Sequence, residues 1–98
     1  MDAQLIDDQK FERVRFVERR LAQGRRFVQP LEAATPSQLA GSAPIIWDLL
    51  DTHPSVDALT PELQKRFNDS PELIVAGIRA AVQMLIDSAL IVPSGGEQ

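Results

Sequence analysis

The sequence predicts a single α+β domain whose helices occupy the later two thirds of the chain. The 98 residues suffice for one modest hydrophobic core, and 44% hydrophobic and 24% charged side chains are typical of a globular protein. Helix starts in which proline follows a capping residue recur after residue 40, whereas the earlier part carries short apolar stretches and a glycine turn. An apolar Ile91-Val92 pair follows the longest predicted helix. This order is that of a winged helix-turn-helix.

Residues 10–31 fit either a helix or strands. Their first half carries an apolar stripe at helical spacing, but Val14 and Phe16 also alternate with arginines as in a strand. Gly24 offers a turn, and Pro30 argues against a long continuation of any helix. Two short strands joined at Gly24 therefore fit this stretch, although the spacing alone leaves a helix open.

Three helices are expected in the remainder of the chain. Ser42 caps the first, in which apolar residues surround Trp47, a core anchor by its size and usual burial. The second opens at the Thr-Pro-Glu of residues 60–62 and the third at the Ser-Pro-Glu of residues 70–72. The third runs until Pro93 and is the longest element.

Residue types of catalytic and metal sites are scarce in this chain. It has no cysteine and no tyrosine, and its one histidine, His53, lies in a polar loop with scattered carboxylates. Asp48 and Asp51 are expected on a solvated helix face. No enzyme activity, metal or cofactor is predicted. The acidic start and the lack of an apolar run near the roughly 18 residues of a membrane span indicate a cytoplasmic protein without a membrane partner.

The net charge of −4 is unevenly distributed along the chain. Residues 10–26 hold seven of the ten basic side chains against two acidic ones, so this segment carries +5 and the remainder −9. A basic patch on an acidic body can attract an acidic peptide or a nucleic acid, but a solvated face that keeps a sheet edge soluble is the simpler interpretation. The role of the segment stays open.

The helix order raises the alternative of a winged-helix DNA-binding transcriptional regulator. A recognition helix presents Arg, Lys, Asn or Gln in its first turn. The third helix instead begins PELIVAGIR, and its one cation, Arg79, comes two turns in. Nearby carboxylates, among them Asp57 and Glu72, would repel the phosphate backbone. A nucleic-acid partner is therefore not expected.

The stretch LAGSAPIIWDLL, residues 39–50, resembles the LNxTAAxIWELL block that starts the first helix of the PqqD-like family, also called RiPP recognition elements. Residues 55–59, SVDAL, are similar to the family's TVDEL, and residues 87–91, DSALI, to its closing ERGLL. The similarity spans about residues 11–92 and is strongest from residue 39. The family usually has Asn, Gly and Asp at three positions where this chain has, respectively, Ala40, Ala89 and Gly77.

The resemblance implies a three-stranded antiparallel sheet followed by three helices, and it favours strands in the ambiguous segment. The strands are expected at about residues 13–19, 25–31 and 34–39. The peptide-binding domain would span residues 10–93, between a flexible lead-in at 1–9 and a flexible tail at 94–98.

In such proteins the leader of a ribosomally made precursor peptide adds as a fourth strand beside strand three, in the cleft against helix three. Binding presents the precursor to a separate modifying enzyme, for which the resemblance admits a radical SAM enzyme, a leader protease or a cyclodehydratase. Unpaired N–H and C=O groups of the edge supply affinity, and pockets for alternate side chains supply selectivity. The predicted edge residues are Ala34, Thr35, Ser37, Gln38 and Leu39.

Helix three is apolar almost all round, which is more than one core-facing stripe requires. Val75, Val82 and Ile86 form a further stripe next to Ile78, and we expect it to receive apolar leader side chains. Arg79 is expected to pair with a leader carboxylate. Two alternatives stay open, because the stripe could pack beneath the sheet or the exposed helix could pair with a second copy in a homodimer.

Overall fold

The computed structural model describes residues 6–94 and shows two small antiparallel sheets and three α-helices. The predicted α+β class is confirmed, with its three-stranded antiparallel sheet and three helices. Residues 1–5 of the predicted lead-in and 95–98 of the predicted tail lie outside the described residues. In chain order the elements are β1 (Phe11–Arg13), β2 (Phe16–Arg20), β3 (Arg26–Pro30), β4 (Ser37–Leu39), α1 (Ala43–Leu49), α2 (Val56–Arg66), α3 (Pro71–Asp87) and β5 (Ile91–Pro93).

The larger sheet has the strand order β2-β3-β4, and a second sheet pairs β1 with β5. The second sheet was not predicted, and it divides the first predicted strand, residues 13–19, because the chain changes partners there. The Val14 N–H donates to the Leu90 carbonyl at 3.0 Å, next to β5, whereas the Arg15 carbonyl accepts the Leu31 N–H at 3.0 Å, next to β3.

The other two predicted strands are observed with changed bounds. β3 lies within the predicted 25–31, but the strand predicted at 34–39 begins three residues late. Pro36 has no N–H to donate to a strand ladder. Gln29 also holds the preceding turn, since its Nε2 donates to the Ala33 carbonyl at 3.0 Å.

The predicted turn at Gly24 joins β2 to β3. One turn of 3₁₀ helix spans Ala22–Gly24, and the Leu21 N–H donates to the Arg25 carbonyl at 2.7 Å across its base. Gln23 and Gly24 both have positive φ, 67° and 74°. Glycine adopts this conformation at little steric cost, which explains why the turn forms here.

The first two helices start differently from the prediction. Ser42 has helical backbone angles, and its side chain makes no capping hydrogen bond to α1. α2 begins at Val56 rather than Thr60, because the Ser55 Oγ accepts the Ala58 N–H at 3.1 Å and so supplies the cap.

Pro61 consequently lies inside α2, where it removes one helical N–H donor. The helix continues to Arg66 because Leu59 and Leu63, on either side of the proline, are buried in the core. Burial of the apolar face outweighs the loss of one hydrogen bond.

α3 starts as predicted, since the Ser70 Oγ accepts the Leu73 N–H at 3.3 Å. The expectation that it runs until Pro93 is wrong, because the helix ends at Asp87. Two residues later Ala89 takes the left-handed conformation, with φ 59°, and turns the chain toward β5.

The end of α3 is a Schellman motif. The Leu90 N–H donates to the Leu85 carbonyl, and the Ala89 N–H donates to the Ile86 carbonyl, each at 2.9 Å. Leu85 and Leu90 are both fully buried, which adds the apolar contact that usually accompanies this motif.

The core lies between the larger sheet and the three helices. Trp47 is fully buried, as predicted for a core anchor, and Phe16 meets it edge-on with ring centroids 4.9 Å apart. The Arg13 guanidinium lies 5.2 Å from the Trp47 ring centroid. The other buried apolar residues are Phe11, Val28, Leu39, Ala43, Ile46, Leu50, Val56, Leu59, Leu63, Ile74, Ile78, Val82, Leu85, Leu90 and Ile91.

A buried arginine fixes α1 on the sheet. Arg26 is 8% exposed and donates to Glu18 at 2.7 Å and to both carboxylate oxygens of Asp48 at 2.8 and 2.9 Å. These hydrogen bonds lower the pKa of Asp48, and Asp48 and Glu18 in turn raise the pKa of Arg26. Asp48 is exposed, as expected for a solvated helix face, and it pairs with Arg26 in addition. Asp51 likewise forms an ion pair with Arg13 at 3.3 Å.

Candidate peptide-binding groove

The outer edge of β4 is unpaired within residues 6–94. β4 pairs on one side with β3, with Gln38 opposite Phe27, and the sheet order places no described strand on its other side. The outward row of N–H and C=O groups can therefore accept an added strand. This edge is short, because only Ser37–Leu39 have strand geometry.

The five predicted edge residues are divided between a bend and the strand. Ala34 and Thr35 lie in the bend, so their expected place in the strand is wrong, and the proline that follows them explains the late start. Ser37, Gln38 and Leu39 form β4. The Leu39 side chain is 4% exposed and belongs to the core, so the backbone is what this edge presents.

Two cavities border α3 and the segments that flank β4 in the chain, and we call them together the groove. The first, of about 380 Å³, has Ala33 and Ser88 among its walls. The second, of about 190 Å³, lies between Ser42 and Gly77. Ala33 precedes β4 in the chain and Ser42 follows it, so β4 connects the walls of the two cavities.

The α3 residues of this groove flank are small or flexible. Gly77, Ala81, Met84 and Ser88 recur at spacings of four, three and four, which aligns them along one side of a helix. The Ser88 Oγ lies 3.8 Å from the Met84 Sδ. The space beside Gly77 is open, since a methyl group built there would meet no atom within 4 Å. An added strand therefore has room to approach α3.

The second cavity exposes two large apolar side chains. Leu73 is 65% exposed and Phe67 is 39% exposed, and both line the cavity with Leu63 and Ile74. Apolar surface of this kind gains free energy when another apolar side chain covers it. The cavity is therefore suited to an apolar residue of a bound peptide.

The stripe of α3 predicted to bind the leader lies on another side of the helix. Ile78 and Val82 are core residues with 1% and 0% exposure, and Val75 and Ile86 are half-buried. The expectation that Val82 lies outside the core is wrong, because α1, α2 and β5 all pack on α3 and cover more than one stripe. Of the two readings left open for Val82, packing is the one observed.

Arg79 is bound to the chain's own N-terminal segment. Its Nε donates to the Asp7 Oδ1 at 3.0 Å, and a terminal nitrogen donates to Oδ2. This hydrogen bond lowers the pKa of the Asp7 carboxyl. The Asp7 carbonyl also accepts the Asp57 N–H at 2.9 Å, which holds the segment at the start of α2. In the described structure Arg79 thus pairs with Asp7, a carboxylate of the same chain, where a leader carboxylate was expected.

The sequence prediction missed residues of the second cavity, among them Phe67, Leu73 and Gly77. A signal for two of these was available, since Leu73 and Gly77 lie on the side of the core stripe opposite Arg79. Leu73 in particular is a large apolar residue in the first turn of a helix. Phe67 follows the last residue of α2 and carries no comparable signal.

Among residues 6–94, no three His, Cys, Asp or Glu side chains are grouped closely enough to hold a metal ion. His53 instead shares a hydrogen bond with Thr52 at 2.8 Å and lies 3.5 Å from a Glu62 carboxylate oxygen. The same part of the chain contains no helix with the length and apolarity that a bilayer crossing requires.

A family model described as Coenzyme PQQ synthesis protein D (PqqD) matches residues 27–91, about two thirds of the chain. The matched range contains β4, all three helices and the whole of the second cavity. No curated protein and no solved structure matches the chain. Proteins of this family are accessory proteins that bind a precursor peptide in natural-product biosynthesis and interact with a partner enzyme. Since the match extends over most of its length, the chain belongs to the PqqD family.

Proposed function

We propose that this protein binds the leader segment of a ribosomally synthesised precursor peptide by β-strand addition and presents it to a separate modifying enzyme. The observation that carries the proposal is the unpaired outer edge of β4, with the apolar second cavity opening at Ser42, three residues further along the chain. The protein supplies no catalytic group in this role, and it acts in the cytoplasm, where precursor peptides are made.

The edge alone would hold a leader weakly. β4 has three residues, so an added strand gains only a few backbone hydrogen bonds, at roughly 1 kcal/mol each. Association costs at least about 4 kcal/mol in lost translational and rotational freedom. Apolar leader side chains therefore supply most of the affinity, and each leucine-sized residue buried beside Phe67 and Leu73 contributes about 2 kcal/mol.

The groove also restricts the kind of leader. Successive side chains of a strand point to opposite faces, so every second leader residue faces α3. We expect apolar residues at these positions. The recipient enzyme is a radical SAM enzyme, a leader protease or a cyclodehydratase, and the genes beside this one distinguish among the three.

Backbone methylation of the leader tests strand addition directly. The leader is taken from the precursor encoded beside this chain, and each variant carries a single N-methyl group, which removes one N–H donor. Only alternate N–H groups of an added strand face β4, so affinity measured by calorimetry should fall about tenfold at alternate positions and little between them.

A small and uniform effect of methylation along the leader would contradict strand addition. The absence of leader binding at micromolar concentrations would overturn the function as a whole. The same titration with duplex DNA provides the comparison with the alternative function.

The ion pairs within the chain count against the alternative of a DNA-binding regulator. Arg13, Arg20 and Arg26 of the basic segment pair with carboxylates of the same chain, and Arg79 pairs with Asp7. These charges are partly neutralised before any phosphate approaches. Strongly salt-dependent binding of duplex DNA is the result that would favour the regulator.

A further inference from the structure

The side of the larger sheet that faces away from the helices carries both cationic and apolar side chains. Val28 and Leu39 point into the core, so the residues that alternate with them point outward. Arg19 lies opposite Phe27 in the register of β2 with β3, which places both on this outward side. We call the surface the outer sheet face, and its residues used here are Arg15, Val17, Arg19, Leu21, Arg25 and Phe27.

The outer sheet face holds the unpaired arginines of the basic segment. Arg13, Arg20 and Arg26 pair with Asp51, Glu18 and Asp48. The other arginines of the segment are exposed and have no carboxylate within 4 Å in the described part of the chain; they are Arg15, Arg19 and Arg25. Because the chain outside residues 10–26 is acidic, this face is a local cationic surface.

Apolar side chains lie among these arginines. Val17 is 53% exposed and Leu21 is 44% exposed, and Phe27 shares a shallow depression with Val17 and Arg19. Arginine and aromatic residues are enriched in protein interfaces and lysine is depleted, and this face has no lysine. A surface that binds the phosphate backbone of a nucleic acid gains its affinity mainly from its cations and needs no apolar centre. Three arginines around an apolar centre therefore favour a protein partner.

We infer that the outer sheet face docks the modifying enzyme, through an enzyme surface that is rich in carboxylates around an apolar centre. This inference rests on the proposed function, since it takes the enzyme that receives the leader as the occupant. Gln38 of β4 lies opposite Phe27, so the face extends as far as the edge strand. A leader added to β4 continues the same face, and an enzyme docked there contacts both the protein and the leader.

Charge reversal separates enzyme docking from leader binding. The face variant carries Arg19→Glu and Arg25→Glu, and it leaves Arg15 unchanged because that residue also lines the first cavity of the groove. The control variant makes the same change of charge at exposed cations outside the face, with Lys10→Glu and Arg66→Glu. Calorimetry on the full chain measures affinity for the modifying enzyme encoded beside it and, separately, for the leader peptide, at low and at physiological salt. Thermal unfolding verifies the fold of each variant, and Arg19→Glu alone replaces the double variant if the latter is unstable.

The face variant should bind the enzyme at least about tenfold more weakly than wild type, while the control loses less than about twofold and both keep wild-type leader affinity. Wild-type enzyme binding should also weaken as salt rises. Unchanged enzyme affinity in the face variant, or equal losses in both variants, would overturn the docking surface. Binding of duplex DNA that only the face variant loses would also overturn it, in favour of a nucleic acid. Absent leader binding in the wild type would instead overturn the proposed function.

Discussion

Arg26 shows how much one side chain determines in a domain of this size. It is charged and almost fully buried, and Glu18 and Asp48 accept its hydrogen bonds from β2 and α1. A buried guanidinium without such partners would cost several kcal/mol. The sequence carries no sign of this role, because Arg26 is one of seven cations in its segment and its partners are 8 and 22 residues away.

Asp48→Asn should remove a pH-dependent part of the stability. Arg26 lowers the pKa of Asp48 in the folded state below the ordinary value of 3.8, so the carboxylate stabilises the fold above that pH and contributes less as pH falls through the folded value. Because the Asp48 side chain is half exposed, solvent screening limits its contribution, and we expect the free energy of unfolding in urea to drop by about 1 kcal/mol at neutral pH and by less at pH 2. Asp69→Asn, an exposed position outside the ion pairs described, is the control. A deficit of equal size at both pH values would contradict this account.

Ala89→Gly should stabilise the protein. Ala89 has φ 59° at the end of α3, where the side chain of any L-residue is crowded and glycine is not. We expect the free energy of unfolding to rise by about 1 kcal/mol. The matched control is Ala80→Gly in the exposed middle of α3, which should lower it by about 1 kcal/mol. Shifts of the same sign in both variants would show that the left-handed conformation is not the cause.

At the scale of elements, the helices were predictable and the small sheet was not. Apolar spacing and caps locate three helices, although a Thr-Pro-Glu sequence inside α2 imitates a helix start. β1 and β5 are three-residue strands, and the register pairs Phe11 with Pro93 at the other end of the chain. Three residues are too few to show an alternation of apolar and polar side chains, and the strand conformation depends on pairing with the partner strand.

The candidate site was predicted in part for a related reason. The resemblance predicted an edge strand and a neighbouring helix, but the apolar spacing of α3 does not indicate which side of the helix the other elements leave open. Val82 has the spacing of a further stripe, and only the packing of three other elements shows that it is in the core. Gly77, which carries no apolar side chain, lies on the open flank.

Substitutions of Gly77 should separate helix stability from groove access. Gly77→Ala adds a methyl group where no atom lies within 4 Å, so stability should rise by up to about 1 kcal/mol with little change in leader affinity. Gly77→Leu fills the second cavity, and leader affinity should fall about tenfold while the protein stays folded. Calorimetry and thermal unfolding measure the two effects. Wild-type leader affinity in Gly77→Leu would place the leader outside this groove.

At the scale of the whole molecule, the arginines of the basic segment fall into two groups, one paired within the fold and one exposed on the sheet. Arg13, Arg20 and Arg26 pair with carboxylates of the fold, and the remaining arginines face outward from the sheet. The simpler interpretation of the segment as a solvated face therefore describes only part of it. A chain with a net charge of −4 can in this way keep one cationic surface.

Arg79→Gln should affect the N-terminal segment and not the leader. Arg79 and Asp7 join positions 72 residues apart, and the Asp7 carbonyl protects the Asp57 N–H. We expect faster hydrogen exchange at the Asp57 amide and leader affinity within about twofold of wild type. Asp7→Asn is the reciprocal variant and should give the same pattern. A marked loss of leader affinity in Arg79→Gln alone would restore the predicted role of Arg79 in binding.

The pairing of β1 with β5 has a further consequence. The Ser94 N–H donates to the Lys10 carbonyl at 2.9 Å, so the incoming and outgoing chain meet at one point of the surface. Units with adjacent ends tolerate insertion into a loop of a larger host. β4 belongs to the other sheet, so its outer edge would stay accessible after such grafting. A maturation enzyme could carry this recognition unit within its own polypeptide, with new sequence needed only at the two junctions.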